Sequence, residues 1–163
     1  MFTAKNPVGV AKVELYRELC TQLEALLAGE RDGIANAANT SALLYQCLPD
    51  LNWAGFYFLR EGGELVLGPF QGKPACVRIA KGRGVCGAAF ESGRSMRVDD
   101  VNAFPDHIAC DSASRSELVV PLMRGSGVTG VIDLDSPLPG RFDAEDQTGI
   151  ERVAAIYMRS IDG

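Results

Sequence analysis

The sequence is poor in histidine, in long apolar runs and in clustered positive charge, and each shortage removes a class of function. One histidine among 163 residues leaves little room for a histidine-rich zinc centre or a histidine-based triad. The apolar runs extend over a few residues, far short of the about 20 that a membrane-spanning helix needs. The first ten residues, MFTAKNPVGV, lack the apolar core of a signal peptide, so the expected location is cytoplasmic, without a membrane partner. Lys and Arg number 16 against 21 Asp and Glu, a net charge of −5. With no basic run, nucleic acid is not an expected partner. Five cysteines, an odd number in a reducing compartment, argue against a disulfide scaffold.

What is present fits one folded unit. Hydrophobic residues make up 47% and charged residues 23%, the mixture of a globular chain. The length suits a single domain over residues 1–163 with its own core. In Lys12–Ala28, Leu15, Leu19, Leu23, Leu26 and Leu27 fall on one helical face, and Gly29 is a stop signal. A second helix is expected over Gly33–Leu48, before Pro49. Then the period changes to that of strands. Asn52–Arg60 and Glu64–Phe70 read as a hairpin around Glu61-Gly62-Gly63. Cys76–Ala80 is a short strand candidate, followed by a short helix at Gly84–Glu91 and a strand near Ser95–Val98. A long polar loop spans Asp99–Arg115, and long ordered loops are often functional. Ser116–Met123 and Val128–Asp135 read as paired strands. A closing helix over Ala144–Ser160 has Asp143 as its N-cap and Ile150, Val153, Tyr157 and Ile161 on one face. The fold class is therefore α+β, with a largely antiparallel sheet and helices from both ends of the chain.

Several residues bear on chemistry, each with a structural reading beside the functional one. Gly82-Arg-Gly84-Val-Cys-Gly87 spells G-x-G-x-x-G after a strand candidate, as in dinucleotide-binding turns. The following helix is too short for a crossover, and no β-α-β alternation surrounds it. Tight-turn glycines are the better reading. Cys20 and Cys47 lie on helix patterns and read as core residues. Cys76, Cys86 and Cys110 match no zinc spacing, and Cys110 stands in a polar loop where a small hydrophobe is unusual. His107, three residues before Cys110, makes a thiol–imidazole pair conceivable, against an ordinary loop histidine.

The strand pair says more. Asp133 and Asp135 point the same way, about 7 Å apart along the strand. If Glu117 pairs with Asp135, all three acids share one face. That register asks for an odd-length connection, expected as the three residues Gly125–Gly127 with a left-handed glycine. The alternatives are a solvated acidic face and a carboxylate cluster whose members raise one another's pKa, so that one serves as a general acid. Trp53 and Tyr57 share a strand face, either as core or as an aromatic wall for a small ligand.

Taken together, Gly68-Pro-Phe-Gln-Gly-Lys-Pro-Ala-Cys76, Gly84-Val-Cys86-Gly87, Phe104-Pro-Asp-His-Ile-Ala-Cys110-Asp111, Ser112-Ala-Ser-Arg-Ser-Glu117 and Asp133-Leu-Asp135-Ser-Pro137 closely resemble the free methionine-(R)-sulfoxide reductases, which are stand-alone GAF-type domains. The resemblance runs from about Asn52 to Asp146. It implies a GAF-like fold, commonly a homodimer, and reduction of the R epimer of free methionine sulfoxide, an oxidative lesion. It implies Cys110 as nucleophile, Cys76 as resolving cysteine and Cys86 as a further exchange thiol. Glu117, Asp133 and Asp135 become polar substrate-binding residues, and Trp53 and Tyr57 the aromatic wall. It implies no metal or organic cofactor, only an external dithiol, thioredoxin being the expected partner. An acidic pocket should raise the Cys110 pKa, and Arg115 or a backbone amide is the candidate offset. The competing reading is a GAF-type sensor of a small ligand or of redox state. It calls for an output domain, for which this length leaves no space, and gives the three acids no role.

Overall fold

The alternation of strand residues between two apolar environments organises the molecule. A computed structural model describes residues 1–107 and 111–162. Two helices come first, α1 (Lys12–Leu27) and α2 (Gly33–Cys47). Asp32 caps α2 by accepting from the Ala35 N–H, one of the amides a helix N-terminus leaves without a partner. The sheet follows as β1 (Trp53–Leu59), β2 (Leu65–Gly72) and β3 (Arg78–Ile79), then α3 (Gly84–Ser92) and β4 (Met96–Val98). A short 3₁₀ turn at Val101–Ala103 leads through the polar loop to β5 (Ser116–Arg124), β6 (Gly127–Ser136) and α4 (Ala144–Ile161). These bounds lie close to the expected ones. The clearest difference is β3, which pairs only through Arg78 and Ile79.

The six strands run in the order β3-β2-β1-β6-β5-β4, and every pairing is antiparallel. Both faces are covered. On one, Ala54, Phe56, Leu118, Val120, Leu122, Ile132 and Leu134 pack with the leucines of α1 and α2 and with Ile150, Val153 and Tyr157 of α4. Cys20 and Cys47 are buried in this core, as their helix positions required. Asp146 has no exposure, yet it accepts from the Tyr16 hydroxyl at 2.8 Å, the Lys12 ammonium at 2.6 Å and the Arg141 guanidinium at 3.1 Å. It also completes the Asp143 capping box, so this buried charge is fully compensated. The opposite face carries a smaller cluster of Trp53, Tyr57, Leu65, Ile79, Val85, Val98, Val119 and Val131, roofed in part by α3.

The β5–β6 register is the one that the acid cluster required: Glu117 pairs with Asp135. It is reached differently from the expected three-residue loop. Arg124 pairs with Gly127, leaving the two-residue turn Gly125-Ser126. Gly125 has φ of 60°, and Ser126 is not among the residues with positive φ, the pattern of a turn with glycine at its first central position. The odd residue lies further along, where Leu122 pairs with Gly130 but Met123 with Val128. Thr129 is thus a bulge residue, and the bulge supplies the extra step.

Candidate active site

The same period-two alternation that buries Leu134 and Ile132 beneath the helices points Asp133 and Asp135 to the other face. Across β1 and β6, Trp53 stands opposite Asp135, and Gly55 opposite Asp133. Across β5 and β6, Glu117 stands opposite Asp135. The acids and the aromatics therefore share one wall of a pocket of about 540 Å³, open mouth included. Trp53, Tyr57, Cys86, Glu117, Asp133 and Asp135 all line it, so six of the eight expected site residues converge there. Cys76 is half-buried and does not line it. Cys110 lies outside the described residues, as does any pairing of His107 with it. The described residues flanking that gap, His107 and Asp111, both line the pocket.

The aromatic wall is fixed from behind. The Trp53 and Tyr57 rings lie 5.9 Å apart at 26°, and Trp53 stacks on Phe70 at 5.2 Å and 14°. A Cβ on Gly55 would come within 2.3 Å of the Phe70 Cβ and 2.8 Å of the Trp53 ring, so this position accepts only glycine. Indole Nε1 donates to the Lys73 carbonyl at 3.1 Å, and the Tyr57 hydroxyl to the Cys76 carbonyl at 2.9 Å. These two bonds fasten the connection that carries Cys76 to the wall.

Cys86 enters from the first turn of α3. The glycines before it work as turn residues: Gly82 and Gly84 have φ of 77° and 61°. A Cβ on Gly87 would meet the Ala80 carbonyl at 2.6 Å. Close backbone approach and left-handed φ explain this G-x-G-x-x-G. The thiol reaches 3.9 Å from Glu117 Oε1, the long limit of a sulfur contact. One donor atom each from Cys86, Glu117 and Asp133 lie within 4.8 Å of one another, all buried.

Such crowding of acids out of water favours the protonated forms. Burial, followed by the Asp135 charge, pushes Glu117 up to about 8. Burial and then Glu117 push Asp133 up, and burial and then Asp133 push Asp135 up. Burial and the three acids also hold the Cys86 thiol well above its usual range, which keeps it a thiol rather than a nucleophilic thiolate. His107 Nε2 lies 3.6 Å from Glu117 Oε2, too far for a hydrogen bond, and burial lowers its pKa. Burial thus acts on both members of the pair against their charged forms. Asp133 Oδ1 is buried with no hydrogen-bond partner among the described residues.

Sequence reasoning missed several lining groups. Ser114, read only as part of a polar loop, is buried, accepts from the Asn52 amide at 3.0 Å and bonds Asp135. Lys73 and Arg83 bring positive charge to the pocket, and Lys73 Nζ is 3.5 Å from Asp111 Oδ1. Arg115, expected to offset the acids, is exposed and absent from the lining. It stands in the loop before β5, and its neighbour Ser114 is the one that lines the pocket. Lys73 and Arg83 belong to glycine-rich connections, and only the fold shows which way those connections turn.

An antiparallel sheet with a helical layer on one face and a pocket under a short helix on the other is the architecture of a GAF domain, and residues 40–162 match the GAF domain family. Within that class, the chain belongs to the family of free methionine-R-sulfoxide reductases. It is 54% identical over 144 residues to the free methionine-R-sulfoxide reductase of Escherichia coli, covering 88% of this chain and 87% of the relative. The Saccharomyces cerevisiae enzyme of that name is 40% identical over 156 residues, covering 91% and 87%. The X-ray structure of the Neisseria meningitidis free methionine-R-sulfoxide reductase, in complex with its substrate, superimposes with a TM-score of 0.95. It shares 44% identity, covering 99% of this chain and 96% of that one. Among the described residues no helix is long and apolar enough to cross a membrane.

Proposed function

We propose that this chain reduces free L-methionine-(R)-sulfoxide to L-methionine by cysteine thiol chemistry. The observation that carries the reading is a single pocket joining a stacked Trp53–Tyr57 wall to three buried carboxyls, between the two residues that flank positions 108–110. Glu117, Asp133 and Asp135 bind the polar end of the substrate, and the Trp53 ring packs against its S-methyl group, a favourable contact for sulfur and its neighbours. The Cys110 thiol attacks the sulfoxide sulfur, and a protonated carboxyl of the cluster donates to the sulfoxide oxygen, which passes to the Cys110 sulfur as the new sulfur–sulfur bond breaks. Methionine leaves, and Cys110 carries the oxygen as a sulfenic acid. The Cys76 thiol then condenses with it, releasing water and forming a Cys76–Cys110 disulfide. Cys86, whose thiol is protonated in this setting, is the further exchange thiol. An external dithiol, with thioredoxin as the partner, reduces the disulfide and takes up its oxidation. No metal or organic cofactor takes part. A homodimer of single GAF-like units spanning 1–163, in the cytoplasm and serving repair of oxidised methionine, rests on the family resemblance.

Cys110→Ser should abolish reduction with dithiothreitol as reductant, whereas full retained activity overturns the nucleophile assignment. Cys76→Ser should keep the first turnover and slow recycling by thioredoxin. An unchanged steady-state rate moves the resolving role to Cys86.

A further inference from the structure

We propose that the floor of the pocket is a binding site for a thiophilic divalent cation of the zinc type, held by Cys86 Sγ, Glu117 and Asp133. Three observations meet there. One donor atom from each residue already lies within 4.8 Å of the other two. A tetrahedral zinc centre with its usual bond lengths separates such donors by about 3.4–3.6 Å, so the site needs only a small contraction. All three side chains are at least nine-tenths buried, at 4% exposure for Cys86, 5% for Glu117 and 6% for Asp133. Independently of the clustering, Asp133 Oδ1 is a buried acceptor with no hydrogen-bond partner among the described residues. Buried acceptors are nearly always paired, and this one belongs to a residue lining the pocket.

The donor set selects the ion. One sulfur and two carboxylate oxygens suit zinc or cadmium in four-coordination. Calcium wants six to eight oxygens and magnesium a regular oxygen octahedron, and the site has neither. Three protein donors leave a fourth position for a pocket water, as in zinc sites that stay open to ligands. Two carboxylates and a thiolate bring three negative charges together, and a dication neutralises two of them in place of the protons the acids otherwise hold. Because Glu117 and Asp133 are the groups assigned to the substrate, the cation and the sulfoxide exclude each other. That consequence, an enzyme switched off by a zinc-type ion, rests on the reductase reading; the binding site itself does not.

The test uses the full reduced chain, without substrate, titrated with cadmium. One equivalent should bind, with an ultraviolet cadmium–thiolate band, and X-ray absorption of the unmodified complex should find one sulfur and the remaining donors nitrogen or oxygen. Cys86→Ser should remove the band, and Asp133→Asn and Glu117→Gln should each weaken binding at least about tenfold, while Cys110→Ser and Cys20→Ser leave it intact. Two or more sulfur donors in the unmodified complex, or a band that survives Cys86→Ser and disappears in Cys110→Ser, overturns the site. Zinc should then raise the KM for methionine sulfoxide. A chain that binds the ion in this way but reduces no sulfoxide keeps the site and overturns the reductase reading.

Discussion

The two faces of the sheet are built from the same strands and do opposite work. Along β6, Ile132 and Leu134 close a dry core under three helices, while Asp133 and Asp135, one residue away from each, enter a polar pocket. On the helical face the one large buried charge, Asp146, is surrounded by three cationic or hydroxyl donors. On the pocket face the buried acids face one another; the Ser114 hydroxyl bonds Asp135, and one oxygen of Asp133 is left without a partner among the described residues. A fully satisfied carboxylate stabilises structure. A crowded and unsatisfied one stores unfavourable interactions that a cationic or proton-accepting ligand relieves, and this marks the second face as the working one.

That contrast can be broken most directly by exchanging effects between faces. Glu117→Gln or Asp133→Asn should lower kcat/KM about 100-fold or more, with thermal stability unchanged or raised. A stability loss with activity retained would place these acids with the core. Leu134→Ala should do the reverse, costing about 2–5 kcal/mol in denaturant unfolding, with little change in kcat/KM at temperatures where the variant is folded. A third effect concerns pH. Glu117 has an ordinary value of 4.5, and the folded chain raises it to about 8. Between these values the folded chain holds a proton that the unfolded chain has released, so rising pH favours unfolding across that window. Unfolding free energy should fall from pH 4.5 to 8, and Glu117→Gln should flatten part of that fall; an equal slope in the variant would place the carboxyl in an ordinary, wet setting. The smallest effect is expected at Thr129. Deleting this bulge residue leaves Glu117 opposite Asp135, so activity should change no more than a few-fold. Loss of activity there would mean the bulge itself shapes the pocket.

Much of this was legible in the sequence, for identifiable reasons. The leucine spacing of α1, the Asp143 cap and the aromatic strand at 53–59 are local signals, and local signals fixed their elements. The face shared by Glu117, Asp133 and Asp135 followed from period-two geometry once the register was assumed. The device that sets the register was not legible: a bulge at Thr129 and a three-residue loop satisfy the same parity, and nothing in Val-Thr-Gly distinguishes them. Lys73, Arg83 and Ser114 were missed because they belong to connections whose direction depends on tertiary contacts. Arg115 was chosen for its nearness in sequence, but it lies in the loop before β5, where strand alternation does not fix a side chain, and Ser114 lines the pocket instead.

The central claim is that the pocket face accepts and reduces one epimer of a free amino acid. Purified protein with dithiothreitol should be assayed on both epimers of methionine sulfoxide, each as the free amino acid and within a peptide. Methionine should form from the free R epimer alone, because the buried acids require a charged amino group and the wall fixes one arrangement at sulfur. Comparable turnover of the peptide-bound substrate, or of the S epimer, would contradict the account.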